Sequence, residues 1–290
     1  MRSRYRTDEG RRVVVAWCRE RLAETDVAHE ERSVETGAGS SHLLVAGRGG
    51  ATVLLLPGTD MAAATSLPLV RALVEEGLRV VVADLPDQPG LSDADLPRRH
   101  RMTAYGTWAG QVVERLRHES PQPGPLVVVG HSLGAAVALA MPTAGVAALV
   151  LVDPAGLVRL RVGRRVLAAT LPWVLRPTPA RSRALLEQLT GPGHPPSAQL
   201  VEWFTLVARC CRPVGAPGPL PGAVLDRWRG TPVHVLSGEH DCFLPPDALA
   251  AAARDRLGTA LTVLPGLGHL AVDEDPDAVA RAVAEVARPR

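Results

Sequence analysis

The chain has 290 residues, of which 46% are hydrophobic and 21% charged, a composition that can bury a sizeable core and excludes a disordered protein. The 32 basic residues are interspersed with 30 acidic ones and the formal net charge is +2, so the charge predicts no nucleic-acid partner. All basic residues are arginine, which excludes chemistry that needs a lysine Schiff base or a P-loop lysine.

The N-terminal residues and the cysteines bear on where the protein works. Residues 1–9 lack the apolar core of a signal peptide, and no stretch reaches the length of a membrane span. Two of the four cysteines, Cys210 and Cys211, are adjacent, a spacing that suits neither a metal site nor a disulfide framework. We therefore expect a cytoplasmic protein with reduced thiols and no membrane partner.

In chain order, a helical pattern over residues 12–23 precedes an antiparallel strand pair between 31 and 45. Short runs rich in valine and leucine then alternate with helical patterns, as in buried parallel strands joined by crossover helices. The predicted strands cover 52–56, 79–83, 126–129, 148–152, 232–236 and 260–264, and the predicted helices 67–76, 105–118 and 133–141. The sequence thus predicts an α/β fold with a mostly parallel central sheet flanked by helices.

About 80 residues separate the strand that ends at position 152 from the one that begins at 232, too many for a loop, and they contain no comparable strand. We expect them to form a helical cap. The predicted division is an N-terminal helical extension over 1–30, a core over 31–155 and 222–290, and a cap over 156–221.

The strongest motif is the run Gly130-His131-Ser132-Leu133-Gly134, between a predicted strand and a helix of small residues. A serine on a sharp turn at this point projects its hydroxyl into open space, and the flanking glycines let strand and helix approach closely. The motif predicts Ser132 as a nucleophile. His131 sits beside it and is interpreted as packing or pocket lining.

A serine becomes a good nucleophile only when a base takes its proton and a carboxylate orients that base. His269 follows the last predicted strand behind glycines and is the predicted base. Asp241, on a loop after the strand at 232–236, is the predicted acid, with Glu239 and His240 as rivals on the same loop and Asp153 in reserve.

Acyl transfer also needs two N–H donors for the tetrahedral oxygen. We expect one to be the backbone amide of Leu133, directly after the nucleophile. The second is expected from Thr59, in the loop that follows the strand at 52–56, where Gly58 keeps the backbone open.

These residues resemble the α/β-hydrolase superfamily over about residues 31–290. The segment 56–59 (LPGT) is similar to its "HG" oxyanion motif with Pro57 in place of histidine, and 84–92 (DLPDQPGLS) resembles the stretch after the next strand. The segment 151–156 (LVDPAG) looks like the "LLDPAG" of carboxylesterase-like bacterial members. The resemblance implies ester hydrolysis by Ser132, Asp241 and His269.

The expected function is a serine hydrolase that cleaves a small apolar ester through an acyl-enzyme on Ser132, with no metal or cofactor. Carbon–carbon bond hydrolases, lactonases, thioesterases and cofactor-free perhydrolases share these three residue types and stay open. So does a non-catalytic protein that binds a small ligand. Dehalogenases and epoxide hydrolases are disfavoured, because their nucleophile is a carboxylate.

The substrate would lie under the cap. Trp173, Trp203 and Phe204 are candidates to line the pocket, although apolar periodicity cannot separate the inner face of a lid from its packing face. The sequence predicts a small ester-like molecule as the partner and leaves the oligomeric state open.

Overall fold

The computed structural model describes residues 4–97, 99–118 and 124–288, and the ends of the predicted extension and core at 1–3 and 289–290 lie outside them. The strands are β1 (His29–Thr36), β2 (Gly39–Ala46), β3 (Thr52–Leu56), β4 (Arg79–Ala83), β5 (Asp93–Ala94), β6 (Leu126–His131), β7 (Ala148–Val152), β8 (Val233–Gly238) and β9 (Leu261–Leu264). The helices are α1 (Asp8–Glu24), α2 (Leu67–Glu75), α3 (Arg101–His118), α4 (Leu133–Ala140), α5 (Arg164–Leu175), α6 (Pro179–Leu186), α7 (Ala198–Cys210), α8 (Gly222–Leu225), α9 (Pro246–Ala252), α10 (Ala271–Glu274) and α11 (Pro276–Ala287).

One sheet organises the structure, with strand order β1-β2-β4-β3-β6-β7-β8-β9 and β5 paired with β2. The pairs from β4 to β9 along this order are parallel, whereas β2 pairs antiparallel with β1 and β4. The predicted mostly parallel sheet is therefore confirmed, and so is the antiparallel pair at its start. The parallel arrangement brings the carboxyl ends of β3, β6, β7 and β8 to one edge.

Both faces of the central strands are buried, which explains their unbroken valine and leucine runs. Along β3, Val53 and Leu55 belong to the core that contains α2 and α11, while Leu54 and Leu56 belong to the core that contains α3 and α4. The sheet is thus covered by helices on both faces.

The predicted elements agree closely with the structure, and most differences lie at element ends. Strand β6 extends two residues beyond the predicted end, because Gly130 pairs with Leu56 and His131 with Val152. The short strand β5 was not predicted, because two residues carry too little periodicity to detect.

Helices α5, α6 and α7 occupy the long connection between β7 and β8 and contact one another in succession. Helix α8 and the turn after it lie instead against α4, where the Trp228 indole N–H donates to the Leu139 carbonyl at 2.9 Å. The N-terminal helix α1 packs on this connection, because it contacts α7, and the rings of Trp17 and Trp203 lie 4.7 Å apart. Among the described residues, no helix is long and apolar enough to cross a bilayer.

Close packing of α3 on α4 depends on Gly106. A Cβ at this position would lie 2.2 Å from the Ala140 carbonyl oxygen, so the backbones would have to separate. We expect Gly106→Ala to lower the free energy of unfolding by about 1–3 kcal/mol despite the better helix propensity of alanine. Urea denaturation measures this change.

Gly110→Ala, one turn along the same helix, is the matched control. There the added Cβ would meet only the Pro142 side chain, at 3.0 Å. An equal or smaller loss at Gly106 than at Gly110 would contradict the packing argument.

Candidate active site

Ser132 occupies a strained turn between β6 and α4. Its backbone has φ 49° and ψ −110°, a conformation that L residues rarely adopt. The neighbouring glycines make the turn possible: a Cβ at Gly130 would lie 2.5 Å from the Ala135 Cα atom, and one at Gly134 would lie 1.9 Å from the Leu56 carbonyl oxygen. The motif therefore holds Ser132 at the edge of the sheet, at the N-terminus of α4.

The structure brings Ser132, His269 and Asp241 together. His269 Nε2 lies 3.0 Å from Ser132 Oγ, and His269 Nδ1 lies 2.8 Å from Asp241 Oδ2. When the Nδ1–H group donates a hydrogen bond to the carboxylate, Nε2 is left to accept the serine proton. This arrangement can transfer a proton away from the serine hydroxyl.

Further contacts hold each partner in place. Asp241 Oδ1 accepts hydrogen bonds from the Phe243 and Leu244 amides at 2.7 and 3.0 Å. The His269 amide donates to the Leu189 carbonyl at 2.7 Å, and the Phe243 and His269 rings form a T-shaped pair with centroids 4.8 Å apart. These bonds fix the carboxylate and imidazole before any ligand is bound.

Electrostatics favour a charged carboxylate beside the imidazole. Burial opposes charge on both groups, but the attraction and hydrogen bond between them hold the pKa of Asp241 below its ordinary value and the pKa of His269 above it. Burial, together with the nearby His269, lowers the pKa of His131 to about 4. His131 is therefore neutral at physiological pH.

Asp153, the reserve acid, lies beside this pair without bonding His269. Its Oδ1 accepts hydrogen bonds from the Ser237 hydroxyl at 3.0 Å and the Gly238 amide at 2.9 Å. Burial, and then the charge of Asp241, raise the pKa of Asp153 well above its ordinary value, so a neutral carboxyl is favoured. The imidazole is therefore oriented by Asp241.

One donor atom from each of Asp153, Asp241 and His269 lies within 4.8 Å of the others, as the ligands of a metal would. Both His269 ring nitrogens already contact other groups of the site, Asp241 and Ser132. Metal binding needs deprotonated ligands that are free to turn toward the ion. The group suits proton exchange better than a metal.

The loop that carries Thr59 lies against the turn at Ser132. A Cβ on Gly58 would be 2.8 Å from His131 Nδ1, so this glycine lets the loop approach. Leu133 is the first residue of α4, where backbone N–H groups have no partner within the helix. The structure thus brings the predicted Thr59 loop beside Leu133.

The two rival residues on the Asp241 loop, Glu239 and His240, make other contacts. The Glu239 carboxylate accepts from the Gly266 amide at 2.9 Å, and His240 is exposed with its Nε2 3.9 Å from Glu239. His131 packs as expected beside the turn, where its Nε2 donates to the His269 carbonyl at 2.9 Å. It therefore ties the turn to the histidine loop.

The three aromatic candidates are buried in contacts between helices. The rings of Trp173 and Phe204 lie 6.0 Å apart, and Trp203 contacts Trp17. The Trp203 indole N–H also donates to the Asp60 carbonyl at 2.6 Å. These contacts give the aromatics a packing role, and their place in a substrate pocket stays a prediction.

Asp60, which the sequence analysis did not single out, joins three parts of the chain directly after Thr59. Its backbone has φ 61°, its amide donates to Gln88 Oε1 at 3.0 Å, and its carboxylate pairs with the buried Arg4. With the Trp203 bond, these contacts hold the Thr59 loop in place. No local pattern predicts the pair with Arg4, which lies 56 positions away.

Comparison with known proteins decides the family. A sequence profile described as "Alpha/beta hydrolase family" matches residues 53–282. The chain belongs to the alpha/beta hydrolase family. No curated protein sequence matches it significantly.

Solved structures of this family share the fold. A carboxylesterase from Bacillus subtilis is 18% identical with a TM-score of 0.77, over 96% of this chain and 98% of its own. Naproxen esterase from Bacillus subtilis is 18% identical with a TM-score of 0.75, over 93% and 95%. The 2-hydroxy-6-oxo-6-phenylhexa-2,4-dienoate hydrolase from Rhodococcus sp. strain RHA1 is 23% identical with a TM-score of 0.66, over 91% and 100%. At these identities the likeness shows a common fold.

The charge balance around His269 can be tested without a substrate. We expect Asp241→Asn to lower the pKa of His269 below the ordinary value, because burial then acts without the carboxylate that raises it. Titration of the imidazole signals by NMR measures this. His42 is the internal control, since burial and its carboxylate partners Asp84 and Glu31, which together set its raised pKa, are unchanged, and a His269 pKa that does not fall would contradict the pairing.

Proposed function

We propose that the protein is a serine hydrolase that cleaves a carboxylic ester of a small apolar substrate through an acyl-enzyme on Ser132. The observation that carries the proposal is the hydrogen-bonded series from Ser132 through His269 to Asp241, with the serine at the start of α4. This series supplies a nucleophile, a base and a group that orients the base.

In the first half of the reaction, Ser132 Oγ attacks the ester carbonyl carbon while His269 Nε2 takes the serine proton. The carbonyl oxygen becomes negatively charged and is stabilised by the amides of Leu133 and Thr59. The tetrahedral intermediate then collapses as its bond to the alkoxy group breaks. His269 gives its proton to the oxygen of the departing alkoxy group, so an alcohol leaves and the acyl group stays on Ser132.

In the second half, a water molecule replaces the alcohol. His269 takes a proton from the water as its oxygen attacks the acyl carbon, and the same two amides bind the oxyanion. The bond to Ser132 Oγ breaks and Oγ recovers the proton from His269. Asp241 stays ionised throughout and stabilises the imidazolium that forms in each half.

The choice of an ester draws on the structures compared above. Two of the compared structures are carboxylesterases, with TM-scores of 0.77 and 0.75, whereas the compared carbon–carbon bond hydrolase has a TM-score of 0.66. The same residues could open a lactone, a thioester or a carbon–carbon bond. A panel of these substrates with the wild-type chain distinguishes the reactions.

Replacement of the nucleophile tests the mechanism directly. We expect Ser132→Ala to reduce turnover of short p-nitrophenyl esters by about a thousandfold or more, because no acyl-enzyme can form. Steady-state kinetics measure the loss, and a fluorophosphonate probe should label the wild type but not the variant. Ser33→Ala, on the exposed surface of β1, is the matched control. Equal rates in the wild type and Ser132→Ala would refute the proposal.

The two buried aspartates should differ in their effect on kcat. We expect Asp241→Asn to lower kcat by about ten-thousandfold, because the imidazole loses its orienting carboxylate. Asp153→Asn should retain most activity, because the amide can still accept from Ser237 and Gly238 and a neutral carboxyl was favoured there. The reverse order of losses would assign the acid to Asp153.

A further inference from the structure

Exposed apolar side chains are concentrated in one short segment. Of the six large hydrophobic residues that the described part of the chain exposes, four lie between positions 162 and 175. Their exposed fractions are 59% for Val162, 58% for Leu167, 58% for Leu171 and 74% for Leu175. Single exposed leucines are ordinary on soluble proteins, but a contiguous group marks an interaction surface.

The three leucines lie on one side of α5. They are spaced by four residues, which places them in a row along the helix. The opposite side carries the buried Val166 and Trp173, and Trp173 packs against Phe204 of α7. The buried side therefore attaches α5 to the rest of the protein, and the row of three leucines forms an outward α5 apolar face.

The same segment is strongly basic. Residues 154–186 contain no aspartate or glutamate, although the whole chain has 30 acidic residues against 32 basic ones. The segment contains seven arginines: Arg159, Arg161, Arg164, Arg165, Arg176, Arg181 and Arg183. Positive charge that is balanced over the whole chain is therefore unbalanced within the segment that contains α5.

Helix stability does not explain this charge. Arg164 and Arg165 lie in the first turn of α5, where the positive end of the helix dipole disfavours cations. Both are exposed, as are Arg159 and Arg161 just before the helix. Their position costs local stability, which points to a negatively charged partner outside the chain.

We propose that the α5 apolar face docks on an anionic phospholipid surface. The leucines would enter the boundary between headgroups and acyl chains, while the flanking arginines contact lipid phosphates. Leucine on one side and arginine at its margins is the composition of a helix that lies in a membrane interface. The proposal does not depend on the reaction proposed for Ser132.

A second copy of the chain fits this surface less well. Two α5 apolar faces packed together would bring the arginines of α5, Arg164 and Arg165, near those of the other copy, and like charges destabilise an interface. The expectation of no membrane partner came from the absence of a stretch long enough to span a bilayer. Docking in the interface needs no such stretch, because the helix lies flat.

Cosedimentation with lipid vesicles tests the proposal. The full chain carries Ser132→Ala, so that no lipid ester is cleaved and a failed reaction mechanism does not affect the result. We expect binding to phosphatidylglycerol vesicles, little binding to phosphatidylcholine vesicles, and weaker binding at high salt. Replacing Leu167, Leu171 and Leu175 with serine should reduce partitioning by about tenfold or more.

Arg164→Gln with Arg165→Gln should weaken binding to the anionic vesicles by about thirtyfold, at roughly 1 kcal/mol for each arginine near the surface. Val13→Ser, which replaces a side chain on α1 that is 41% exposed, is the control and should bind like the parent. Circular dichroism checks that each variant is folded.

Three results would overturn the proposal. The first is no binding to phosphatidylglycerol vesicles by the parent chain. The second is binding that the leucine variant retains. The third is a dimer on size-exclusion chromatography that the leucine variant dissociates, which would assign the face to self-association.

Discussion

Ser132 is held at a positive φ between a buried parallel strand and the first turn of a helix, and the other groups of the site are arranged around it. The turn exists because Gly130 and Gly134 let α4 and the end of β3 approach within distances that no side chain permits. Strain of this kind persists only where the surrounding packing over-determines it. Here β6, which ends just before Ser132, is hydrogen-bonded to β3 on one side and to β7 on the other, and these pairings hold the strand in place.

Burial governs the charges around this turn. An unpaired charge in the interior is expensive, so ionisable groups there are either paired or neutral. Asp241 is paired with His269, whereas His131 and Asp153 are favoured neutral. One ionised carboxylate therefore faces one imidazole, the condition in which the imidazole can accept a proton from serine and be stabilised when it does.

The N-terminal segment and the inserted helices meet at Asp60. Arg4 pairs with its carboxylate and Trp203 donates to its carbonyl, so two segments outside the sheet hold the residue next to Thr59. Trp203 and Phe204 are neighbours on α7, and Phe204 packs against Trp173 of α5. A continuous set of contacts thus runs from the outer helix α5, with its apolar and basic surface, to the loop beside Ser132.

The sequence by itself determined the main strands of the sheet and the turn that holds the candidate nucleophile, because local patterns specify both. Strands buried on both faces appear as continuous valine and leucine runs, and Ser132 is specified by glycines within two positions of it. His269 and Asp241 could be located only as candidates on loops that follow strands. Asp153 also follows a strand, so the local pattern placed it in reserve behind Asp241 without excluding it.

Tertiary structure decided which carboxylate meets the imidazole, since that depends on how the loops after β7 and β8 bend around the edge of the sheet. The sequence likewise could not predict the contacts that Asp60 makes with Arg4, Gln88 and Trp203, because they join positions up to 143 residues apart. The tertiary structure was also needed to show that the row of leucines on α5 faces outward. Periodicity shows that a helix has an apolar side, but only the packed structure shows which of its sides is covered.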